Sequence, residues 1–248
     1  MTYRPIDIAK KINVSTSLLR FYEKQQLFPA PKRTDAGYRI YTEESFFYLQ
    51  AVRTATIAYN YKKTREVMAL IQNKQFIDVF WLLNEEEVQL HNRKRLSEQT
   101  LALLHEEEWT ELTQMPKQGW ITIGEAAKRL SLTETTIRHW TKEHLLEVPR
   151  DPESNYRMFD TASLKQLLII RMIRASTWSL EKVKEILNHF TAETPEEMIQ
   201  LAEHSLQVLN QQLTRQFIAK KYIYQLIHHL SPDFFQDFPG IDYYYDLF

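Results

Sequence analysis

The chain has 248 residues, of which 31 are Lys or Arg, 32 are Asp or Glu and none is Cys. The lack of cysteine excludes a disulfide framework, a thiolate metal site and a cysteine nucleophile, and is compatible with a reducing compartment. No apolar run approaches the ~18 residues of a membrane span, and the first residues do not resemble a signal peptide, so we expect a cytoplasmic protein. Only four glycines leave little room for phosphate-binding glycine loops or a sheet with many tight turns, so the composition favours helices.

The net charge of −1 conceals an alternation of basic and acidic segments. Residues 1–71 carry a net charge of +6, residues 72–118 of −4, residues 119–190 of +2 and residues 191–248 of −5. Two basic segments suit contact with a polyanion while the acidic segments face solvent. Chance variation between segments is the alternative explanation.

The first 27 residues predict two short helices separated by a tight turn. The period of the apolar residues favours a short helix over residues 6–12, followed by a turn at Asn13-Val14. Ser15 is a good N-cap for a second helix, which ends near Leu27. Two short helices around such a turn form a helix-turn-helix.

A small β-hairpin and three longer helices are expected next. After two prolines, residues 37–41 (GYRIY) alternate between polar and apolar side chains, which indicates a hairpin, or wing. Gly37 is expected to supply a positive φ at the turn of the wing. The expected helices lie near 42–58, 62–73 and, in a stretch without Gly or Pro, 85–114.

The second half of the chain repeats the first at a constant offset of 118 residues. The register holds without a gap over roughly 45 residues, as duplication of a folded unit predicts. The identical pairs include Ala9/Ala127, Lys10/Lys128, Arg20/Arg138, Lys24/Lys142, Leu27/Leu145, Tyr38/Tyr156, Arg39/Arg157, Leu49/Leu167 and Arg53/Arg171.

The repeat predicts the same elements in both halves. Thr133 takes the N-cap position of Ser15, and Asn155, which tolerates a positive φ better than most residues, takes that of Gly37. The later helices are expected near 160–176, near 179–190 with Ser179 as N-cap, and near 195–230.

The predicted fold is mainly α, with two winged helix-turn-helix domains, whose wings are small β-hairpins, joined by long helices that can pair as an antiparallel coiled coil. The expected boundaries are 1–72 for the first domain, 73–118 for connecting helices, 119–190 for the second domain, and 191–248 for a long C-terminal helix and an aromatic, acidic tail.

Both copies resemble the MerR family of bacterial transcription regulators. The family pattern is a helix-turn-helix, a stretch like T-[LI]-R-[YF]-Y-E-x-x-G-L-[LI]-x-P-x-R, and then G-Y-R-x-Y. Residues 17–33 read SLLRFYEKQQLFPAPKR before GYRIY, and residues 121–150 read ITIGEAAKRLSLTETTIRHWTKEHLLEVPR before NYRMF. The resemblance covers about 140 of the 248 residues. It departs from the pattern in having two such domains, and in His139, Trp140 and Asn155 of the second copy.

The resemblance implies a transcription regulator that binds double-stranded DNA at a pseudopalindromic promoter site, with RNA polymerase as a further partner. A family member normally dimerises through its long helix. Two such helices in one chain lead us to expect a single-chain pseudo-dimer, in which both helix-turn-helix units face the same side, and a homodimer is the alternative. We expect no cofactor, no metal and no enzymatic activity, because paired carboxylates, a Ser-His-Asp set and a phosphate loop are all missing from the sequence.

The candidate DNA contacts follow from the chemistry of phosphates and base edges. A helix N-terminus offers unpaired N–H groups to a phosphate, and an arginine one turn later reaches a base edge or a phosphate. Arginines of the wing suit a flanking groove or the backbone. Tyr22 is expected to be half-buried, with its hydroxyl on a phosphate. The full set is Ser15, Thr16, Ser17, Arg20, Tyr22, Arg33, Tyr38, Arg39, Lys62, Lys63, Thr133, Thr135, Arg138, Trp140, Arg150, Tyr156 and Arg157.

Several of these residues have alternative roles. Arg20 could pair with Glu23 or Glu44 instead of DNA, Arg39 could form a surface salt bridge, and Tyr38 and Tyr156 could be core residues that pin the wing. Acidic residues at 134, 151 and 153 would repel phosphate, so we expect the second copy to bind DNA more weakly than the first.

Two rival functions remain at this point. The chain could be a helix-turn-helix module for protein contacts, which the acidic second copy favours, or a small-molecule sensor whose pocket includes the aromatic tail. We expect the tail, residues 231–248, to pack on the core or the long helices. His228-His229 is a weak metal candidate, since the two residues are adjacent rather than one helical turn apart.

Overall fold

The computed structural model describes residues 2–104, 114–152, 154–176, 180–189 and 195–235. These residues are mainly helical and divide into two compact units, one of residues 1–88 with 211–248 and one of residues 89–210. We call them unit 1 and unit 2. Each unit contains one copy of the sequence repeat, and this confirms the predicted fold class. The predicted division into two domains and two helical segments, with its boundaries, stays a prediction.

Unit 1 begins with the predicted helix-turn-helix. Helix α1 spans Pro5–Lys11 and α2 spans Thr16–Lys24. Asn13, at the turn between them, has a φ of +53°. The Ser15 hydroxyl accepts a hydrogen bond from the Leu18 amide at 3.1 Å, which confirms Ser15 as the N-cap of α2.

The wing of unit 1 belongs to a three-stranded antiparallel sheet in the order β1-β3-β2. The strands are β1 (Thr2–Tyr3), β2 (Lys32–Arg33) and β3 (Arg39–Thr42), with Arg33 opposite Arg39. Gly37 has the expected positive φ, +83°. Sequence reasoning missed β1, because two residues are too short for an alternation to show.

Three helices complete the first part of the chain. They are α3 (Glu43–Ala58), α4 (Tyr61–Gln72) and α5 (Phe76–Leu104). Helix α5 begins nine residues before its expected start, because the apolar residues of 76–84 pack into the core of unit 1. Of the predicted end of this helix, residues 105–113 lie outside the described residues.

Unit 2 repeats these elements. They are α6 (Ile123–Arg129), α7 (Glu134–Lys142), α8 (Thr161–Ser176) and α9 (Leu180–His189), followed by α10 (Pro195–Leu230). The hydroxyl of Thr133 caps α7, accepting from the Thr136 amide at 3.1 Å. The predicted N-cap Ser179 lies outside the described residues.

The wing of unit 2 is reduced to two isolated antiparallel bridges, Ile121 with Phe159 and Arg150 with Arg157. Asn155 has a φ of +59°, which confirms that it replaces Gly37 at the turn. The backbone therefore keeps the repeat even where the pairing of the strands is reduced to single bridges.

The repeat is also visible at two further pairs of residues with positive φ. Ser131 (+49°) matches Asn13 at the helix-turn-helix turn, and His144 (+57°) matches Gln26 (+54°) after the second helix. Non-glycine residues rarely adopt this conformation, so its recurrence at the same offset shows that both copies have the same local backbone.

Parts of α5 and α10 pack on each other inside each unit. In unit 1, Val79 and Leu83 share a core with Ile223 and Leu226, and Glu87 forms an ion pair with Lys220. In unit 2, Leu104 shares a core with Met198 and Ala202, and the buried hydroxyls of Ser97 and Ser205 are 3.5 Å apart. These contacts are consistent with the antiparallel pairing of the long helices that the sequence predicts.

The C-terminal tail begins as a short 3₁₀ turn, Pro232–Phe235. Phe235 is buried and its ring lies 4.4 Å from that of Tyr224, between centroids. This part of the tail packs on unit 1 as expected, and residues 236–248 lie outside the described residues.

Candidate nucleic-acid interface

The recognition helix of unit 1, α2, presents its basic side chain to solvent. Ser15, Ser17 and Arg20 are exposed and Thr16 is partly exposed, all on the first turns of the helix. Within the described part of the chain, Arg20 has no ion pair with Glu23 or Glu44, and Glu23 pairs with the wing arginines instead. Arg20 is therefore available to a base edge or a phosphate.

Glu23 anchors the wing of unit 1 to α2. Its carboxylate accepts a hydrogen bond from Arg39 Nε at 2.6 Å and lies 3.7 Å from Arg33 Nη2. The hydrogen bond to Glu23 raises the pKa of the Arg39 guanidinium above its usual value. The salt bridge foreseen as the alternative for Arg39 is therefore present, and Arg33 also donates to the Gly37 carbonyl oxygen at 3.3 Å.

The tyrosines at the tips of the wings point into solvent. Tyr38 is 73% exposed and Tyr156 is 69% exposed, so the interpretation of both as core residues is wrong. Each follows the positive-φ residue of its turn, Gly37 or Asn155. An exposed phenol ring on a basic hairpin can contact a sugar or a phosphate.

Two predicted contacts are instead core residues. Tyr22 is 2% exposed with its hydroxyl 3.5 Å from that of Thr56, and Trp140 is 5% exposed. Burial raises the pKa of the Tyr22 hydroxyl. Neither side chain reaches the surface, because both lie on the face of the recognition helix that packs into the core, so their assignment as DNA contacts is corrected.

The basic residues at the start of α4 differ from each other. Lys62 is exposed, whereas Lys63 Nζ lies 3.2 Å from Glu66 and 3.4 Å from Glu86. Lys63 thus already has two carboxylate partners. Beside them, Arg65 donates to the Gln25 side chain at 3.2 Å and joins α4 to the end of α2.

The recognition helix of unit 2, α7, has an acidic residue at its first position. Glu134 accepts a hydrogen bond from Arg138 at 3.0 Å, one turn along the same exposed face. Thr133 and Thr135 are exposed. Arg138 therefore has a partner that Arg20 lacks.

The wing arginines of unit 2 have no carboxylate partner among the described residues. Arg150 donates to the Asn155 carbonyl oxygen at 3.0 Å, and Arg157 is partly buried. Burial, and then the positive charges of Arg150 and Arg138, lower the pKa of the Arg157 guanidinium. Three guanidinium groups from α7 and the wing thus form one cationic cluster.

Sequence reasoning missed a buried arginine in unit 2. Arg171 is 1% exposed and donates to the carbonyl oxygen of Leu130, at the end of α6, and to that of Leu96 on α5 at 3.5 Å. Burial lowers its pKa to about 10. The repeat pairs it with Arg53, which is partly exposed, and nothing in the sequence separates the two.

Among the described residues, no group of three or more His, Asp or Glu side chains could hold a metal ion, and no helix is long and apolar enough to cross a membrane. The two adjacent histidines make aromatic contacts instead. His229 stacks on Phe47 with 4.4 Å between ring centroids, and His228 stacks on Tyr224 at 6.5 Å.

Two family models match the chain at the two helix-turn-helix regions. The model described as "MerR family regulatory protein" matches residues 4–41, and the one described as "MerR HTH family regulatory protein" matches residues 121–189. The matches fall on the two copies of the repeat separately.

Several characterised proteins are similar to part of the chain. The "HTH-type transcriptional regulator CueR" of Yersinia pestis is 38% identical over 68 residues, 27% of this chain and 49% of that protein. The "HTH-type transcriptional regulator ZntR" of Escherichia coli K12 is 35% identical over 66 residues, 27% of this chain and 47% of that protein. The "Mercuric resistance operon regulatory protein" of Serratia marcescens is 29% identical over 94 residues, 38% of this chain and 65% of that protein.

The chain spans about half the length of the first two of these relatives. No solved structure gives a significant match to the chain.

Proposed function

We propose that this chain, whose two helix-turn-helix regions match MerR-family models, is a transcription regulator of that family that binds double-stranded DNA sequence-specifically at a promoter. The observation that carries the proposal is the exposed face of α2, where a capped helix N-terminus lies together with Arg20, which has no ion pair among the described residues. A helix N-terminus and an arginine one turn later match the chemistry of a phosphate and of a guanine edge.

The wings supply a second set of contacts to the same ligand. Arg33 and Tyr38 of the first wing are exposed, as are Arg150 and Tyr156 of the second. Lys62, at the start of α4, is exposed as well. Because such groups recognise the DNA backbone rather than its sequence, they position the recognition helices. Such a regulator acts on the chromosome, in the cytoplasm of a bacterial cell, and RNA polymerase is its expected further partner at the promoter.

We further propose that the chain acts as a single-chain pseudo-dimer on a pseudopalindromic site. The duplicated unit and the packing of parts of α5 and α10 within one chain support this proposal. A covalent link between two reading units gives an effective concentration in the millimolar range when both sites can be reached.

The DNA-binding proposal is tested by selecting sequences from fragmented genomic DNA with the full chain, followed by binding titrations over a range of salt concentrations. A regulator gives an enriched sequence, and its affinity falls steeply with salt because phosphate contacts release counterions. If no sequence is enriched and no duplex is retarded at low salt, the chain is a module for protein contacts instead.

The pseudo-dimer is tested by light scattering at micromolar concentration, with and without the selected site. A particle of 29.7 kDa without DNA, and of one chain plus one duplex with it, supports one chain per site, together with an enriched sequence that has two half-sites. A stable particle of twice that mass contradicts the single-chain proposal and leaves the DNA-binding proposal intact.

A further inference from the structure

A concave pocket lies between the recognition helix and the wing of unit 2. Its volume is about 650 Å³, within the usual range for small-molecule sites. Arg138 comes from α7, and Arg150 and Arg157 come from the two sides of the wing. Gly124 lies at its α6 side, where a Cβ atom would come within 3.2 Å of the Glu134 carboxylate.

The charges in this pocket are unbalanced. Three guanidinium groups line it against one carboxylate among the described lining residues, Glu134, which forms an ion pair with Arg138. Next to it, Asp151 accepts hydrogen bonds from the amide and the hydroxyl of Ser154, both at 2.7 Å. Glu153 lies outside the described residues. The lining groups therefore carry an excess of two positive charges, which suits a dianion.

In unit 1, the corresponding wing arginine, Arg39, has a carboxylate partner. There, Glu23 holds Arg39, and the offset of 118 residues puts Thr141 at the position of Glu23. The Thr141 hydroxyl donates to the Ile137 carbonyl oxygen at 2.8 Å within its own helix and offers no negative charge to Arg157. The exchange of Glu for Thr thus leaves the unit 2 cluster without the carboxylate that neutralises its counterpart.

We propose that this pocket binds a free phosphate-bearing small molecule, with the phosphate dianion held by Arg138, Arg150 and Arg157. Arginine suits this role because its planar fork donates two parallel hydrogen bonds to phosphate oxygens. The ring of Tyr156, at the rim, is exposed and available to the organic part of the ligand. A duplex phosphate could also meet these arginines, but the volume exceeds what one phosphate fills.

The inference is tested by calorimetric titration of the full chain with inorganic phosphate and with adenosine 5′-monophosphate, using adenosine as the uncharged control. We expect saturable binding of both phosphates and none of adenosine. Arg157→Gln and Thr141→Glu are each expected to weaken phosphate binding about tenfold or more. Arg157→Gln removes a charged hydrogen-bond donor, and Thr141→Glu adds a carboxylate that neutralises the Arg157 guanidinium.

Thr141→Gln is the matched control, because glutamine has the size of glutamate but carries no charge. It is expected to bind phosphate like the parent chain, as is Glu23→Thr, which changes only unit 1. Thermal unfolding of each variant shows that it is folded. Equal phosphate affinity in the parent, Thr141→Glu and Arg157→Gln overturns the pocket as the binding site.

Titrations with a duplex containing the selected sequence separate this inference from the proposed function. A chain that binds DNA but neither phosphate compound has no small-molecule site, which overturns the inference alone. A chain that binds the phosphate compounds but no DNA supports the pocket and contradicts the DNA-binding proposal.

Discussion

The two recognition helices differ in where each carries its one acidic residue. In α2 the sequence TSLLRFYEK places Glu23 near the C-terminal end, and in α7 the sequence ETTIRHWTK places Glu134 at the N-terminal end. Because of this exchange, unit 1 has an unpaired recognition arginine and a paired wing arginine. Unit 2 has the opposite arrangement, with Arg138 paired and Arg157 without a carboxylate among the described residues.

The comparison shows how a duplicated scaffold acquires two different surfaces. The backbone is kept, including the positive φ values at matching turns, while one carboxylate decides which arginine of each unit is available to an anion. We accordingly propose that unit 1 reads DNA through its helix and that unit 2 holds a phosphate at its wing.

The largest expected difference between the units concerns their buried arginine. We expect Arg171→Ala to lower the free energy of unfolding by roughly 2–5 kcal/mol, because it leaves a cavity and removes the hydrogen bond to the Leu130 carbonyl. Arg53→Ala, at the matching and partly exposed position, should cost less than about 1 kcal/mol. Urea unfolding of both variants measures the difference, and equal losses would contradict the structural role assigned to Arg171.

The second-largest expected difference is in stability at alkaline pH, where unit 1 should unfold before unit 2. Unit 1 buries Tyr22, Tyr41 and Tyr48, where unit 2 has Trp140, Phe159 and Gln166. Burial raises the pKa of Tyr48 to about 12, and it also raises those of Tyr22 and Tyr41.

A phenol whose pKa is raised on folding stabilises the protein below its unfolded pKa of about 10, and this stabilisation is lost as the pH rises through the folded value. Tyr48 alone accounts for about 2–3 kcal/mol between pH 10 and pH 12. Single-tryptophan variants that keep Trp81 in unit 1 or Trp140 in unit 2 report each unit by fluorescence. Loss of unit 2 structure first would refute the prediction.

The exchange of acidic residues itself predicts unequal effects on DNA binding. We expect Arg20→Ala to weaken binding to the selected sequence by about 1–3 kcal/mol if it reads a base. Arg138→Ala should cost less, since Arg138 must first leave Glu134. Binding titrations by fluorescence anisotropy measure both.

Glu134→Thr sharpens the same test, because it gives α7 the residue that α2 has at that position. In the Glu134→Thr background, Arg138→Ala should cost more than it does in the parent chain. An unchanged cost would mean that the ion pair does not restrain Arg138.

The smallest expected effect is the loss of stability on removing an N-cap hydroxyl, and it should be equal in the two units. Ser15→Ala and Thr133→Ala should each lower stability by about 1 kcal/mol, because each hydroxyl satisfies one free amide at the start of its recognition helix. Urea unfolding measures both losses. A cost confined to one unit would show that the two caps are not equivalent.

Local signals predict the elements of this protein well. The caps at Ser15 and Thr133 and the positive φ values of Gly37 and Asn155 all depend on residues within a few positions along the chain. The start of α5 is harder to place. The acidic run that begins at residue 85 suggests a start there, but the apolar residues before it already belong to the helix and pack into the core.

Side-chain roles at the candidate interface are harder to predict. Tyr22 and Trp140 are expected to contact DNA, although the apolar period already places them on the inner face, where they are found. The core alternative for Tyr38 rests on the frequent burial of tyrosine, but the wing turn directs this side chain outward.

The sequence by itself determined the repeat, the two helix-turn-helix units and their turns, since these follow from apolar period, capping and backbone conformation at single residues. Only the tertiary structure decided which wing arginines are paired, because Glu23 and Arg39 are 16 residues apart and meet at 2.6 Å only when the wing folds onto α2. An ion pair depends on distance in space, and for residues on separate elements the fold alone sets that distance.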